Sequence, residues 1–100
     1  MDTYGLSVYF IGSDKAHLYV LANSYDDALL AGMELIGTRD MFNCEELAYK
    51  DKVKMVDNYG IEWSISANYL LICLQFQHGD FEKIDMSKGY FVISELYTEQ

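Results

Sequence analysis

The most continuous apolar stretch of the chain covers residues 69–76, where Gln75 is the single strongly polar side chain. Such a run is too short to cross a bilayer, which takes about 20 residues. A short apolar run fits either a strand buried on both faces or part of a helix. The turn-forming residues that follow, 77–80, favour the strand. We therefore expect a central strand here, with Leu71, Ile72 and Leu74 buried.

The start of the chain alternates in polarity as the two strands of a β-hairpin do. Val8 and Phe10 lie on one face of the first strand, and Tyr9 lies on the other. Two registers are compatible with this pattern, because a slip of one residue exchanges the faces. A five-residue loop sets Phe10 against Leu18, and a four-residue loop sets it against His17. We prefer the five-residue loop, since it keeps the core face apolar.

A helix is predicted next, with Ser24 as its N-cap and Gly37 just beyond its last turn. Asp27 stands at the capping-box position, and apolar residues recur at helical spacing as far as Ile36. Gly32, in the middle of this helix, costs up to about 1 kcal/mol relative to alanine, so we expect the helix to pack closely onto the sheet at this position. The chain therefore opens β-β-α.

The rest of the chain carries shorter signals. Asn43 and Glu46 fit a capping box at the start of a second helix that ends near Lys50. A tight turn is predicted at 57–60. Alternation of apolar and polar residues predicts three further strands, at 50–55, 61–66 and 90–97. The sum is an α+β domain, with an antiparallel sheet of about five or six strands and two helices on one face.

Composition indicates what kind of partner the chain suits. With 100 residues, 51% of them hydrophobic, the chain is predicted to form a single globular domain, 1–100. Sixteen acidic residues against seven basic ones give a net charge of -9. This balance argues against direct binding to nucleic acid or to an anionic membrane, and it favours a basic partner.

The residues that commonly carry catalysis or bind metals are isolated from one another. Cys44 and Cys73 are far apart and outside any ligand spacing, so we expect free thiols in a reducing compartment. The first residues lack the features of a signal peptide, and the cytoplasm is expected. His17 and His78 are solitary, whereas a metal site needs several converging ligands. We predict no enzyme activity, no metal and no cofactor, since no nucleophile, base and oxyanion donor occur together.

Tyrosine is in excess, with nine residues. Tyrosine is enriched at protein interfaces, but it also covers the faces of a thin sheet, and both explanations remain open. Several tyrosines are expected in the core, Tyr69 among them. Aromatic rings among carboxylates suit an arginine-rich partner through ion pairs and cation–π contacts. The predicted contact residues lie on two exposed turns: Asp57, Tyr59, Glu62, Asp80 and Glu82.

The chain is small, acidic and free of proline, and in size and charge it resembles the anti-restriction and anti-CRISPR inhibitors encoded by phages and mobile elements. The resemblance implies a binding protein that occludes a basic, nucleic-acid-binding surface of another protein, in the host cytoplasm if it is phage-encoded. Its carboxylates are scattered, whereas a DNA mimic needs one charge per about 1.7 Å of duplex axis, so occlusion is favoured. The alternative is an accessory or regulatory subunit of a cytosolic complex, forming a homodimer through a strand edge.

Overall fold

We describe the protein from a computed structural model that covers residues 5–37 and 41–97. It divides into two compact units. The sheet unit contains residues 5–37, 41–46 and 85–97, and the hairpin unit contains residues 47–84. In chain order the elements are β1 (Ser7–Gly12), β2 (Ala16–Ala22), α1 (Tyr25–Leu35), β3 (Asn43–Glu46), β4 (Lys52–Val56), β5 (Glu62–Ser66), α2 (Ala67–Gln77) and β6 (Tyr90–Tyr97).

The α+β class is confirmed, but the strands form two sheets rather than one. In the sheet unit, four antiparallel strands follow the order β3-β1-β2-β6. Helix α1 packs against this sheet. In the hairpin unit, β4 and β5 form a two-stranded sheet, and α2 packs against β5. The predicted single sheet with both helices on one face is therefore corrected; that all 100 residues make one domain stays a prediction.

The β1–β2 hairpin adopts neither of the two predicted registers. Phe10 lies opposite Tyr19 rather than Leu18 or His17. Ser13 tightens the turn, because its Oγ accepts hydrogen bonds from two backbone N–H groups just after it, each at 3.1 Å. This polar side chain thus stabilises the turn that joins β1 and β2.

The face of β1 that belongs to the core of the sheet unit is also the opposite of the predicted one. Tyr9 and Ile11 lie in one buried cluster with Ala28 of α1. Val8 and Phe10 lie on the other face, because side chains alternate along a strand. Val8 is nevertheless only 1% exposed. Since both faces of this strand carry buried apolar residues, alternation alone does not indicate which face the helix covers.

Helix α1 follows its sequence signals closely. The Ser24 side chain accepts a hydrogen bond from the N–H of Asp27 at 3.2 Å, and Gly37, with φ of +107°, follows the last turn. A Cβ added at Gly32 would lie 2.5 Å from a ring carbon of Phe42. The packing at this glycine is close, but it is made by the ring of Phe42, which precedes β3, and not by a strand of the sheet.

The second predicted helix is wrong. Asn43–Glu46 forms strand β3, which pairs with β1 so that Asn43 lies opposite Gly12 and Glu46 lies opposite Tyr9. A capping box satisfies only two backbone N–H groups, whereas the edge of β1 offers a row of backbone donors and acceptors. Long-range pairing therefore overrides the local preference.

The predicted central strand is also wrong, because this stretch forms helix α2. Ser66 begins the helix by accepting a hydrogen bond from the N–H of Tyr69 at 3.1 Å. Leu71 and Leu74 are buried as expected, but Ile72 is 43% exposed. Apolar side chains lie on both the buried and the exposed side of the helix, so the sequence shows no clear 3.6-residue period that would distinguish it from a buried strand.

The three later strands are confirmed as β4, β5 and β6. The turn between β4 and β5 places Gly60 at φ of +78°, where glycine avoids the strain that a side chain would cause. A second turn, with Gly89 at φ of +91°, leads into β6. These elements were predictable because strand alternation and glycine turns are local features.

Substitutions on α2 distinguish the helix from the strand. Leu71→Ala should lower the free energy of unfolding by about 2–5 kcal/mol, because a buried leucine leaves a cavity. Ile72→Ala is the matched control and should cost much less, since Ile72 is 43% exposed. Urea unfolding followed by circular dichroism measures both. Equal losses at the two positions would indicate a strand buried on both faces and contradict the helix.

Candidate protein interface on the β4–β5 hairpin

The turn between β4 and β5 is organised by one carboxylate. Asp57 Oδ1 accepts hydrogen bonds from the backbone N–H groups of Tyr59, at 2.8 Å, and Ile61, at 2.9 Å. The backbone closes the same turn: Gly60 donates to the Asp57 carbonyl at 3.1 Å, and Asp57 donates to the Ile61 carbonyl at 3.0 Å. The tip of the hairpin is therefore held by side-chain and backbone bonds together.

Tyr59 lies at this tip with 89% of its surface exposed. Its backbone is fixed by the turn, while its ring contributes almost nothing to burial. A ring on an ordered backbone loses little conformational entropy when a partner covers it. Tyrosine is also among the residues enriched at interface hot spots. Tyr59 therefore has the chemistry of an interface anchor.

One face of the hairpin is apolar, and its exposure increases toward the tip. Val53 lies opposite Ile65, and Met55 lies opposite Trp63, on the same face. Val53 is fully buried, Trp63 is 43% exposed and Ile61 is 61% exposed. Alternation in the sequence predicted this face but not the gradient along it. The apolar face thus extends into solvent beside Tyr59.

The opposite face of the hairpin carries charge. Lys54 Nζ lies 3.6 Å from Glu62 Oε1, and the two side chains are 71% and 61% exposed. An exposed ion pair of this kind contributes about 0–1 kcal/mol, so little is lost if Glu62 turns to a cation on another protein. We call Asp57, Tyr59, Ile61, Glu62 and Trp63, which lie at the tip and on both faces of the hairpin, the hairpin surface.

The other two predicted contact residues, Asp80 and Glu82, lie in the turn after α2, and both are exposed. The Asp80 N–H donates to the Gln75 carbonyl at 2.8 Å. Between them, Phe81 has φ of +73° and is 7% exposed. A left-handed backbone costs a non-glycine residue about 1–2 kcal/mol, which burial of the Phe81 ring offsets. The two carboxylates thus flank a buried anchor.

The structure therefore exposes all five predicted contact residues and places all five in the hairpin unit. Asp57, Tyr59 and Glu62 share one turn, and Asp80 and Glu82 share another. Sequence reasoning missed the exposure of Ile61 and Trp63, because alternation indicates a common face without showing what covers it. It also placed Tyr69 in the core, whereas Tyr69 lies on α2 and is 59% exposed.

Other tyrosines have structural roles. Three donate hydroxyl hydrogen bonds to carboxylates: Tyr9 to Glu46 at 3.1 Å, Tyr90 to Glu34 at 3.2 Å and Tyr97 to Glu95 at 2.9 Å. The rings of Tyr9 and Tyr90 are buried. In all three, burial and then the bonded carboxylate raise the pKa of the phenol. Part of the tyrosine and carboxylate excess is therefore explained by the fold, and part remains exposed.

The sheet unit contains an open surface pocket of about 430 Å³ beside the β1–β2 turn, lined by Phe10, Gly12, Ser13, Asp14, His17, Met41, Phe42 and Asn43.

Burial, and then the charge of Glu45, raise the pKa of the Cys44 thiol, which is the opposite of what a nucleophilic thiolate needs. Within residues 5–37 and 41–97, no group of three or more histidine, cysteine or acidic side chains is arranged to hold a metal ion.

Neither helix in the described part of the chain has the length and apolarity to cross a membrane. Comparison of the chain with protein-family models, with curated proteins and with solved structures gave no match. Function must therefore be inferred from the hairpin surface and from the chemistry that it offers.

Alkaline pH should reveal the role of Tyr9. Burial, followed by the hydrogen bond and charge of Glu46, raises the pKa of Tyr9 from 10.0 to about 12. Because the folded state disfavours the phenolate, this stabilisation is complete below about pH 10 and is lost as the pH rises toward 12. Tyr9→Phe should reduce that loss, measured as the urea midpoint against pH. Tyr59→Phe, at an exposed position, is the control and should behave like the parent; identical profiles for Tyr9→Phe and the parent would contradict the assignment.

Proposed function

We propose that this is a non-enzymatic binding protein whose hairpin surface occupies a basic, nucleic-acid-binding surface of a partner protein. One observation carries the proposal: the Tyr59 ring is 89% exposed on a turn that hydrogen bonds hold in place. A rigid, solvated aromatic residue does little for the stability of its own fold. In the same position, the ring would contribute to binding when another protein covers it.

The chemistry around Tyr59 indicates the partner. Glu62 and the Asp57 carboxylate accept charge-assisted hydrogen bonds, which are strongest with the guanidinium group of arginine. The exposed rings of Tyr59 and Trp63 also suit a basic partner, because cations bind over the faces of aromatic rings. With a net charge of -9, the whole chain attracts a basic surface before contact and speeds the encounter.

Arginine-rich surfaces of this kind are common where proteins bind nucleic acid. Occupation by the hairpin surface would exclude the nucleic acid, and we include the exposed carboxylates of Asp80 and Glu82 in the proposed contact. Inhibitors of restriction and CRISPR systems from phages and mobile elements act in this general way, and we propose that role, in the cytoplasm, for this protein. The surface combines a ring, an indole and few carboxylates, which suits occlusion better than imitation of a phosphate backbone.

Truncation of Tyr59 tests the anchor. A partner is first isolated from bacterial lysate on the immobilised parent protein at low salt and then purified for surface plasmon resonance. Tyr59→Ala should raise the dissociation rate about 30-fold, as loss of a hot spot worth about 2 kcal/mol does, and change association little. Tyr49→Ala is the control, because Tyr49 is 55% exposed in the same unit but lies outside the hairpin surface. Equal dissociation rates for both variants would refute the anchor.

Removal of charge tests the electrostatic part. Asp57 is left unchanged because its carboxylate holds the turn. A substitution there would alter the structure of the turn as well as the charge. Neutralising Glu62, Asp80 and Glu82 should slow association and flatten its dependence on salt between about 0.1 M and 1 M, where the Debye length falls from about 10 to 3 Å. The matched control carries three neutralised acids of the sheet unit: Asp14→Asn, Asp26→Asn and Glu45→Gln. The proposal would be contradicted by a partner whose affinity changes neither with salt nor when Glu62, Asp80 and Glu82 are neutralised.

A further inference from the structure

Helix α2 carries an apolar stripe that is separate from the hairpin surface. Tyr69, Ile72 and Phe76 are 59%, 43% and 90% exposed. Residues three and four apart lie on one face of a helix, so these three side chains share a face. The buried residues Leu71 and Leu74 lie on the opposite face. We call Tyr69, Ile72 and Phe76 the α2 stripe.

The α2 stripe lies in the longest part of the sequence without charge. From Trp63 to Gly79, 17 residues include no aspartate, glutamate, lysine or arginine, in a chain whose net charge is -9. The side chains beside the stripe, Asn68 and Gln75, are neutral amides. A basic partner would find no carboxylate here to pair with, in contrast to the hairpin surface.

We propose that the α2 stripe is the contact between two copies of this chain, with the two α2 helices packed antiparallel. A two-fold interface brings the same surface together from both copies, so a net charge on that surface meets the same net charge. The α2 stripe avoids this repulsion, which the acidic remainder of the surface does not. Its spacing of three and then four residues is the spacing by which helices pack along a seam.

The antiparallel arrangement follows from the positions of the rings. A two-fold axis near Ile72 sets Tyr69 of one copy against Phe76 of the other, so that two aromatic pairs flank an aliphatic centre. Antiparallel helices also place the positive end of one dipole beside the negative end of the other. One helix from each copy makes a small interface compared with the usual total of about 1,200–2,000 Å², so we expect a weak dimer.

The edges of the four-stranded sheet are less suited to self-association than α2. Strand β3 carries Glu45 and Glu46, which would bring like charges together across a two-fold axis. Strand β6 changes register against Tyr19 and Val20, and such a bulge disrupts regular pairing. We therefore assign a homodimer to α2 instead of to a strand edge.

Sedimentation velocity over a concentration series of the full chain tests the contact. The parent should pass from monomer to dimer as concentration rises, whereas Tyr69→Glu and Phe76→Glu should each weaken the dimer at least tenfold. Met33→Glu is the matched control, because Met33 is 48% exposed on α1, and it should dimerise like the parent. Thermal unfolding confirms that each variant is folded; should Tyr69→Glu unfold, Phe76→Glu, at the more exposed position, decides the result.

A mixture of two variants tests the antiparallel geometry. Tyr69→Glu and Phe76→Lys should each be monomeric alone, but together they should form a heterodimer, because the new carboxylate faces the new ammonium group. A parallel pair would not bring these positions together. A parent that is monomeric at every concentration, or α2 variants that dimerise like the parent, would overturn the proposal. Loss of dimer without recovery in the mixture would overturn the antiparallel arrangement.

Discussion

The sheet unit depends on the pairing of β2 with a strand on each side. Leu18, Val20 and Ala22 are completely buried, and the strand that carries them pairs with both β1 and β6. Helix α1 then covers one face of the sheet, where Tyr9 lies in the same cluster as Val20. The outer edge of β1 would remain unpaired, and β3 occupies it. Strand β2 therefore joins β1 and β6 directly, and β3 through β1.

In the hairpin unit, two polar side chains set the direction of the chain. Asp57 holds the turn between β4 and β5 through the N–H groups of Tyr59 and Ile61. Ser66 is both the last residue of β5 and the N-cap of α2, so the strand passes into the helix without a linker. Both side chains satisfy backbone donors that the regular elements leave without partners. The exposed rings near them are consequently carried by ordered backbone.

The exposed surface of the hairpin unit offers two kinds of chemistry. The hairpin surface combines rings with carboxylates, which suits cations, whereas the α2 stripe is neutral and suits another apolar surface. A partner that suits one of these two surfaces would therefore bind the other weakly. Tyr9 and Tyr90, by contrast, are buried with their hydroxyl groups bonded to carboxylates, so they stabilise the sheet unit.

The sequence by itself determined the elements whose signals are local: the β-β-α opening, the caps of α1, the β4–β5 hairpin and the exposed turn with Asp57 and Tyr59. A cap or a glycine turn involves residues only a few positions apart, and so it can be recognised without the fold. The tertiary structure decided the strand at Asn43, the helix at 67–77, the register of β1 with β2 and the exposure of Trp63. A segment apolar on both sides has no informative period, and an edge strand depends on a partner distant in the chain, so only packing selects among the alternatives.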